Sequence, residues 1–382
     1  MNRRSLAYHI MVLVGIGACA TRPVPQPTPV PALPRAQLVA SVYLIGDAGA
    51  PNLSGEPVLQ ALSRELSDGP RERVVVFLGD NLYPRGLPAP QDPTRAEAER
   101  RLAAQVHVVT EARARGYLVL GNHDWARYGK EGWQAARRQE LYVDSIGLRL
   151  VSVEPGEGCP GPAVVDLGRE LRMIFLDTQW WLHPGPKPAD PTSSCLADAE
   201  PEIVDSLREA VRSADGRLVI VAGHHPLVTG GAHGGYFPWQ DHLFPLRLVA
   251  PWLWLPLPFI GSLYPAARQH GISSQDLQSR AYQRMIAAFR RAFAGAPPAL
   301  YAAGHEHNLQ VIAGGPARLE LVSGGGIYDH SGRAVAIKGT LFARKASGFA
   351  RLDIPRVGRA RLAVLQVDRG GGSHEVFSTW VE

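Results

Sequence analysis

Cysteine is scarce in this chain, with three in 382 residues, and none of them sits among charged residues. A thiolate nucleophile needs an electropositive neighbourhood, so cysteine catalysis is excluded. No Gly-x-Ser-x-Gly elbow occurs, which removes the serine-hydrolase route as well. Long blocks of like charge are absent and the arginines are scattered, so no nucleic-acid platform is expected. The formal charge of +5 supports no more than mild attraction to phosphate-bearing substrates or anionic lipid. Neither apolar run crosses a bilayer comfortably: Leu6–Ile16 is too short, and the uncharged stretch 248–267 is broken by Pro251, Pro256, Pro258 and Pro265. No internal repeat and no second domain emerge.

What is present describes a globular chain with unusual ends to its story. Hydrophobic residues make up 45% and charged residues 20%, enough for a full core. Arg3 and Arg4 precede the apolar run Leu6–Ile16, and small residues follow, the pattern of a secretory signal. Ile16-Gly17-Ala18-Cys19 resembles the lipobox of bacterial lipoproteins, in which the cysteine becomes the lipidated first residue. The alternatives are a plain signal peptide or an uncleaved anchor. Residues 1–19 are thus read as a lipoprotein-type signal, 20–38 as a Pro-rich tether, and 39–382 as the working domain. Prolines at 23, 25, 27, 29, 31 and 34 favour an extended, polyproline-like spacer. A lipid anchor at Cys19 would place the domain outside the cytoplasm, in the periplasm or on the cell surface. Cys159 and Cys195 then remain, and in an oxidising compartment a bridge between them competes with two free thiols.

Along the domain, short apolar runs alternate with helical patterns. Val42–Ile45, Val74–Leu78, Tyr117–Leu120, Leu171–Leu176 and Leu218–Val221 read as buried strands. Val58–Leu66, Arg95–Arg115, Glu131–Ile146, Glu202–Ser213 and Gln275–Phe293 read as helical. After Ala299 strand follows strand to Glu382. The order predicts an α/β fold of mixed sheets, not a barrel or bundle. One regularity stands out: Gly46-Asp47, Gly79-Asp80, Gly121-Asn122, Gly223-His224 and Gly304-His305 each follow a strand. In open α/β sheets ligands bind beyond the carboxyl ends of strands, and glycine there permits a sharp turn. Singly, each pair reads as a turn or a helix cap. Together they offer carboxylates, an amide and imidazoles converging on one site.

Five motifs carry a family resemblance: Gly46-Asp47-Ala48-Gly49, Gly79-Asp80-Asn81-Leu82-Tyr83, Gly121-Asn122-His123-Asp124, Gly223-His224-His225-Pro226 and Gly304-His305-Glu306-His307. Their order resembles that of the calcineurin-like metallophosphoesterases, and within them the purple acid phosphatases of the small tartrate-resistant type. Most of the superfamily has a histidine where this chain has Gly49. Purple acid phosphatases have glycine there and a compensating tyrosine three residues after the second aspartate, the position of Tyr83. The resemblance implies a four-layer α/β/β/α sandwich of two mixed sheets flanked by helices, with a dimetal site at strand C-terminal ends. It also implies that Asp47, Tyr83 and His307 hold one metal and Asn122, His224 and His305 the other, with Asp80 bridging. A phenolate with carboxylates favours a trivalent ion, so Fe(III) is expected in the first position, and divalent Fe, Zn or Mn in the second.

The chemistry expected of such a pair is hydrolysis of phosphate monoesters by a metal-bound hydroxide, without a covalent enzyme intermediate. His123 would bind the phosphoryl group or protonate the leaving group, with Asp124 orienting its ring. His225 would reach the phosphate or stand as a solvent-facing loop residue. A phosphodiesterase acting on nucleotides or lipid headgroups, and a non-catalytic surface binding protein on the same fold, are the rival readings. Between the fourth and fifth motifs lies an apolar insertion, about residues 229–270. It is expected to be a buried or site-covering loop, the alternative being an apolar lip facing membrane or substrate. His233 and His242, within it, match no motif.

Overall fold

The apolar runs form strands because their side chains are buried on both faces of a sheet, which favours unbroken Val, Leu and Ile over strict alternation. A computed structural model describes residues 28–382 except 190–192, 249 and 251. The expected signal, residues 1–19, and the tether as far as residue 27 lie outside the described residues. One sheet contains β1 (Leu38–Ile45), β2 (Glu72–Leu78), β3 (Arg115–Val119), β4 (Val151–Val153), β12 (Gly348–Pro355), β13 (Ala360–Val367) and β14 (Ser373–Val381). The other contains β5 (Ala163–Leu167), β6 (Leu171–Phe175), β7 (Leu218–Ala222), β8 (Leu300–Ala303), β9 (Leu309–Ala313), β10 (Leu319–Ser323) and β11 (Thr340–Arg344). Their orders are β14-β13-β12-β1-β2-β3-β4 and β11-β9-β10-β8-β7-β6-β5. Both are mixed: β1 to β4 run parallel, while β12 joins β1 antiparallel.

Period-two alternation sorts each strand's side chains into separate layers. Val42 and Leu44 meet Phe175, Leu321 and Leu352 between the sheets. Tyr43 and Ile45, pointing the other way, pack under helices α1 (Pro57–Asp68), α2 (Arg95–Glu111) and α3 (Gly132–Ile146). On the far side of the second sheet, short α4 (Thr178–Leu182) and longer α5 (Glu200–Arg212) and α8 (Arg280–Phe293) cover Ile174, Val221 and Tyr301. Helix α8 buries Tyr282, Met285, Ile286, Phe289 and Phe293, one stripe at helical spacing, each contributing roughly 1.5–3 kcal/mol. The result is the expected α/β/β/α order of layers.

Several boundaries differ from expectation. The helix read as Arg95–Arg115 stops at Glu111, because Arg113 adopts φ 52° and Arg115 already pairs with β2. Gln275–Gln278 is a turn; Ser279 caps α8, its Oγ accepting from Tyr282 N at 3.2 Å. Cys159 and Cys195 are disulfide-bonded. The described end of the Pro-rich stretch is held at Val30, whose N–H donates to Ser378 Oγ (3.1 Å) and whose carbonyl accepts from Arg361 (2.9 Å).

Of the expected buried or site-covering loop, the structure contradicts the burial, while His233, Tyr264 and Arg268 of the insertion border the motif residues His305 and His307. The insertion's prolines restrict it to 3-10 turns and the short helices α6 (Trp239–Leu243) and α7 (Leu263–Gln269). Both outer sheet faces are already covered by other helices, so no apolar wall is left for it to enter. Among the described residues from 236 to 264, only Gly261 is buried. No helix among the described residues is long and apolar enough to cross a membrane.

Candidate metal centre

The parallel strands end level with one another: Ile45 pairs with Phe77, and Leu78 with Val119. Their exits therefore open on one rim, and β7 and β8 bring two more exits from the other sheet. A sharp turn explains one of the glycines, Gly79, at φ 86°. Crowding explains others. A Cβ on Gly46 would stand 2.9 Å from the Cα of Gly304, so the two sheets touch where their strands end. A Cβ on Gly121 would collide with the backbone nitrogen of Asp80.

Four of the residues just past these exits hold left-handed backbone without being glycine: Asp47 (φ 61°), Asp80 (51°), His305 (72°) and His307 (47°). Such conformations cost of order 1–3 kcal/mol each and persist only where surrounding structure enforces them. They aim the side chains inward. Asp47 Oδ2 accepts from His305 N at 2.8 Å, and Asp80 Oδ1 from His123 N at 2.8 Å, locking both carboxylates across the rim.

Two triangles of donor atoms result. In the first, Tyr83 Oη lies 3.2 Å from Asp47 Oδ1 and 3.1 Å from His307 Nε2, which lies 3.4 Å from Asp47 Oδ1. In the second, Asn122 Oδ1 lies 3.1 Å from both His224 Nε2 and His305 Nδ1, which are 3.2 Å apart. Asp80 adjoins the second triangle, its Oδ1 3.5 Å from His224 Nε2, and groups with Asp47 and His224 as a cation-binding set.

The second triangle contains its own test. His224 donates Nδ1–H to Leu78 O (2.8 Å), and His305 Nε2 faces Gln275 O at 3.4 Å. The ring nitrogens facing Asn122 Oδ1 therefore present lone pairs to a lone pair. Three acceptors at van der Waals distance, buried, repel unless a cation stands among them. Bonds of about 2.0–2.2 Å to one metal put its ligands roughly 3–3.5 Å apart, the spacing found here. Burial holds the His305 ring neutral, the state a ligand requires. In the first triangle burial, then Asp47, push the Tyr83 phenol well above its ordinary range; only a strong cation would make it a phenolate. The residues present fit metal ions.

A family model, "Calcineurin-like phosphoesterase", matches residues 40–253, more than half of the chain. The chain belongs to the calcineurin-like phosphoesterase family. Its curated relatives include Purple acid phosphatase 17 of Arabidopsis thaliana, 24% identical over 215 residues, 54% of this chain and 57% of the relative. Purple acid phosphatase 4 of the same plant matches at 24% over 216 residues, again 54% and 57%. The matched region thus spans little more than half of those relatives' length. Among solved structures, the fold resembles a purple acid phosphatase from yellow lupin (Lupinus luteus) seeds, with TM-score 0.52, 14% identity and coverage of 89% of this chain and 53% of that one. It also resembles GAP50, the anchor in the inner membrane complex of Plasmodium, with TM-score 0.54, 14% identity and coverage of 90% and 88%.

Around the triangles, the structure departs from the sequence reading in two places. Asp124 does not orient His123. Its Oδ2 accepts from Gly121 N (2.7 Å) and from the N and Nδ2 of Asn81 (3.2 and 3.1 Å), so it ties the second exit to the third. Burial first, then the charge of Asp80, raise its carboxyl to about 7. The His123 ring is oriented instead by Pro84, whose carbonyl accepts from Nδ1 at 2.7 Å. That leaves His123 Nε2 on the cavity side, 3.9 Å from Asp80 Oδ2.

His225 is neither solvent-facing nor free to reach a phosphate. Thr178 Oγ1 accepts from the backbone N–H of His224 (3.2 Å) and His225 (3.1 Å), so its own proton goes to His225 Nδ1 at 2.7 Å. His225 Nε2–H then donates to Gln275 Oε1 (2.6 Å), and Gln275 Nε2 to Gln179 Oε1 (3.0 Å). This buried relay braces the second triangle from behind.

Beyond both triangles lies a cavity of about 430 Å³ whose wall includes His123, Arg127, His233, Tyr264 and Arg268. Sequence reasoning leaves His233 unassigned, yet its ring stacks on His305 at 3.9 Å and Arg268 Nη2 reaches its Nδ1 at 2.9 Å. Burial, then the Arg268 charge, lower its pKa to about 3, so the ring is neutral. The readable signal was the glycine run around it: a Cβ on Gly231 would collide with the Glu306 carboxylate. Thr178 and Gln275 had no such signal.

Proposed function

We propose that the chain hydrolyses phosphate monoesters with two metal ions. Asp47, Tyr83 and His307 would hold one and Asn122, His224 and His305 the other, with the Asp80 carboxylate available to both. The observation that carries this reading is the pair of donor triangles, one with a phenol and one of neutral lone pairs, beside a shared carboxylate. The phenol makes ferric iron the choice for the first position; two imidazoles and an amide suit divalent Fe, Zn or Mn in the second. Bound there, the pair supplies charge neutralisation and an acidified water.

The chain's own groups do the rest. His123 keeps its Nδ1 proton on Pro84 O, so Nε2 is the atom that exchanges a proton with the leaving oxygen. His233 Nδ1 lies 2.9 Å from Arg268 Nη2 and 3.1 Å from the Gln275 carbonyl, which fixes the ring in the cavity wall beside His305. Arg127 lines the same cavity and adds positive charge where a dianionic ester enters. The turn closed by Arg127 N donating to Asn122 O at 2.7 Å fixes the spacing of His123 and Arg127.

The same reading places the domain outside the cytoplasm, tethered by lipid at Cys19. The bridge between Cys159 and Cys195 supports an oxidising compartment. Metal analysis of purified protein, followed by assay of an aryl phosphate against its bis ester, tests the proposal. Two ions per chain and preference for the mono ester are expected. Preference for the bis ester makes it a diesterase; no metal and no turnover after metal loading make it a binding protein.

A further inference from the structure

Chains bury large apolar side chains when they can, so a segment that exposes many of them together has a partner to meet. In the insertion Trp239, Trp252, Trp254, Phe259, Ile260 and Leu263 are all more than half exposed, Phe259 at 87% and Trp252 at 78%. They are not on a loose strand. Leu257 N donates to Leu243 O at 2.7 Å, His242 Nδ1 meets Ser262 Oγ at 3.2 Å, and the Phe244 and Trp254 rings pack 5.2 Å apart. The segment is folded against itself with its apolar side turned out.

We propose that this lip docks on the surface of a lipid bilayer. Its composition argues for that occupant: indole and phenol rings, apolar in body and polar at one edge, settle where headgroups meet acyl chains. Charge argues the same way. Arg268 is ion-paired with the buried Asp276, but Arg247, with Asp241 the acidic side chain near it, makes no ion pair among the described residues. The Arg247 guanidinium lies over the Trp254 ring, 3.8 Å from its centroid, where it can snorkel to a phosphate headgroup while the ring enters the interface. A second copy of the chain pressed face to face would bring the two Arg247 side chains together; an anionic lipid surface attracts them. The lip also borders the cavity, since half-exposed Tyr264 and its neighbour Arg268, bonded at 2.7 Å, belong to both. Docking sets the mouth of the cavity at the membrane plane. The inference is independent of the reaction proposed above.

The test is made on the full chain bound to vesicles of phosphatidylcholine and phosphatidylglycerol with brominated acyl chains. Because Leu6–Ile16 gives the chain another way to bind, the readout is quenching of the lip's indoles, not binding itself. Trp239, Trp252 and Trp254 are the exposed tryptophans among the eight in the chain. Quenching is expected in the wild type and is lost when all three are changed to phenylalanine. Phe259→Asp with Ile260→Asp should abolish the same quenched fraction, while metal content stays unchanged. Equal quenching in wild type and triple variant overturns the proposal. So does a stable dimer in which the three indoles are shielded from bromine.

Discussion

Replacing Thr178 with valine removes one hydroxyl and changes almost nothing in shape, yet it should loosen the whole second triangle. The hydroxyl accepts from two backbone N–H groups, at His224 and His225, and donates to His225 Nδ1. All of these groups are buried. Valine leaves three polar groups unpaired, each costing about 1–3 kcal/mol, so a loss of roughly 3–9 kcal/mol follows if no water enters. At about 2 °C per kcal/mol for a domain of this size, Tm should fall by roughly 6–18 °C. The His225 ring, released from its tautomer, no longer fixes Gln275, whose carbonyl faces His305. Affinity for the metal in the second position should therefore fall about 10–100-fold, the usual effect of losing an orienting partner. Calorimetric unfolding and metal titration measure both quantities, with Thr178→Ser, which keeps the hydroxyl, as the control near wild type. A Thr178→Val protein melting within a degree or two of wild type, with unaltered metal affinity, would refute the argument.

With Fe(III) bound, a phenolate-to-iron charge-transfer band is expected in the visible; Tyr83→Phe should abolish it and reduce bound metal to about one ion per chain, as elemental analysis reports, since the first triangle loses its phenol. Glu320 is buried with Oε2 unpartnered, and burial raises its carboxyl from the ordinary 4.5 to about 8. A raised carboxyl stabilises the fold fully below about 4.5, and that contribution is lost as pH rises through about 8. Glu320→Gln should accordingly gain several kcal/mol over wild type at alkaline pH and little in acid, seen as diverging Tm-versus-pH curves; parallel curves would count against it. Changing both Cys159 and Cys195 to alanine opens a link across 36 residues, for a loss of about 4 kcal/mol and roughly 5–10 °C in Tm.

Strand exits were legible because each couples a short apolar run to a glycine and then to a polar residue, and no packing knowledge is needed to see them. What the sequence hid was partnership at a distance. His123 is oriented by the carbonyl of Pro84, 39 residues away, and a backbone carbonyl carries no residue signature. Asp124, next in sequence, looked like the orienting group, but adjacent side chains in this turn point apart and its carboxylate closes the loop instead. The helix that should have run to Arg115 was cut short because pairing with β2 outweighed helix propensity in residues that suit either state. The insertion misled most. Apolar composition reads as burial, but burial needs a free wall, and both outer faces of the sheets were already taken.

The central claim is that the two donor triangles hold adjacent cations bridged by Asp80, and anomalous diffraction from crystals of the metal-loaded protein addresses it directly. Two peaks are predicted about 3.5–4 Å apart, one bonded to Asp47, Tyr83 and His307, the other to Asn122, His224 and His305, with Asp80 touching both. A single peak, or two that leave Tyr83 or Asn122 uncoordinated, would contradict it.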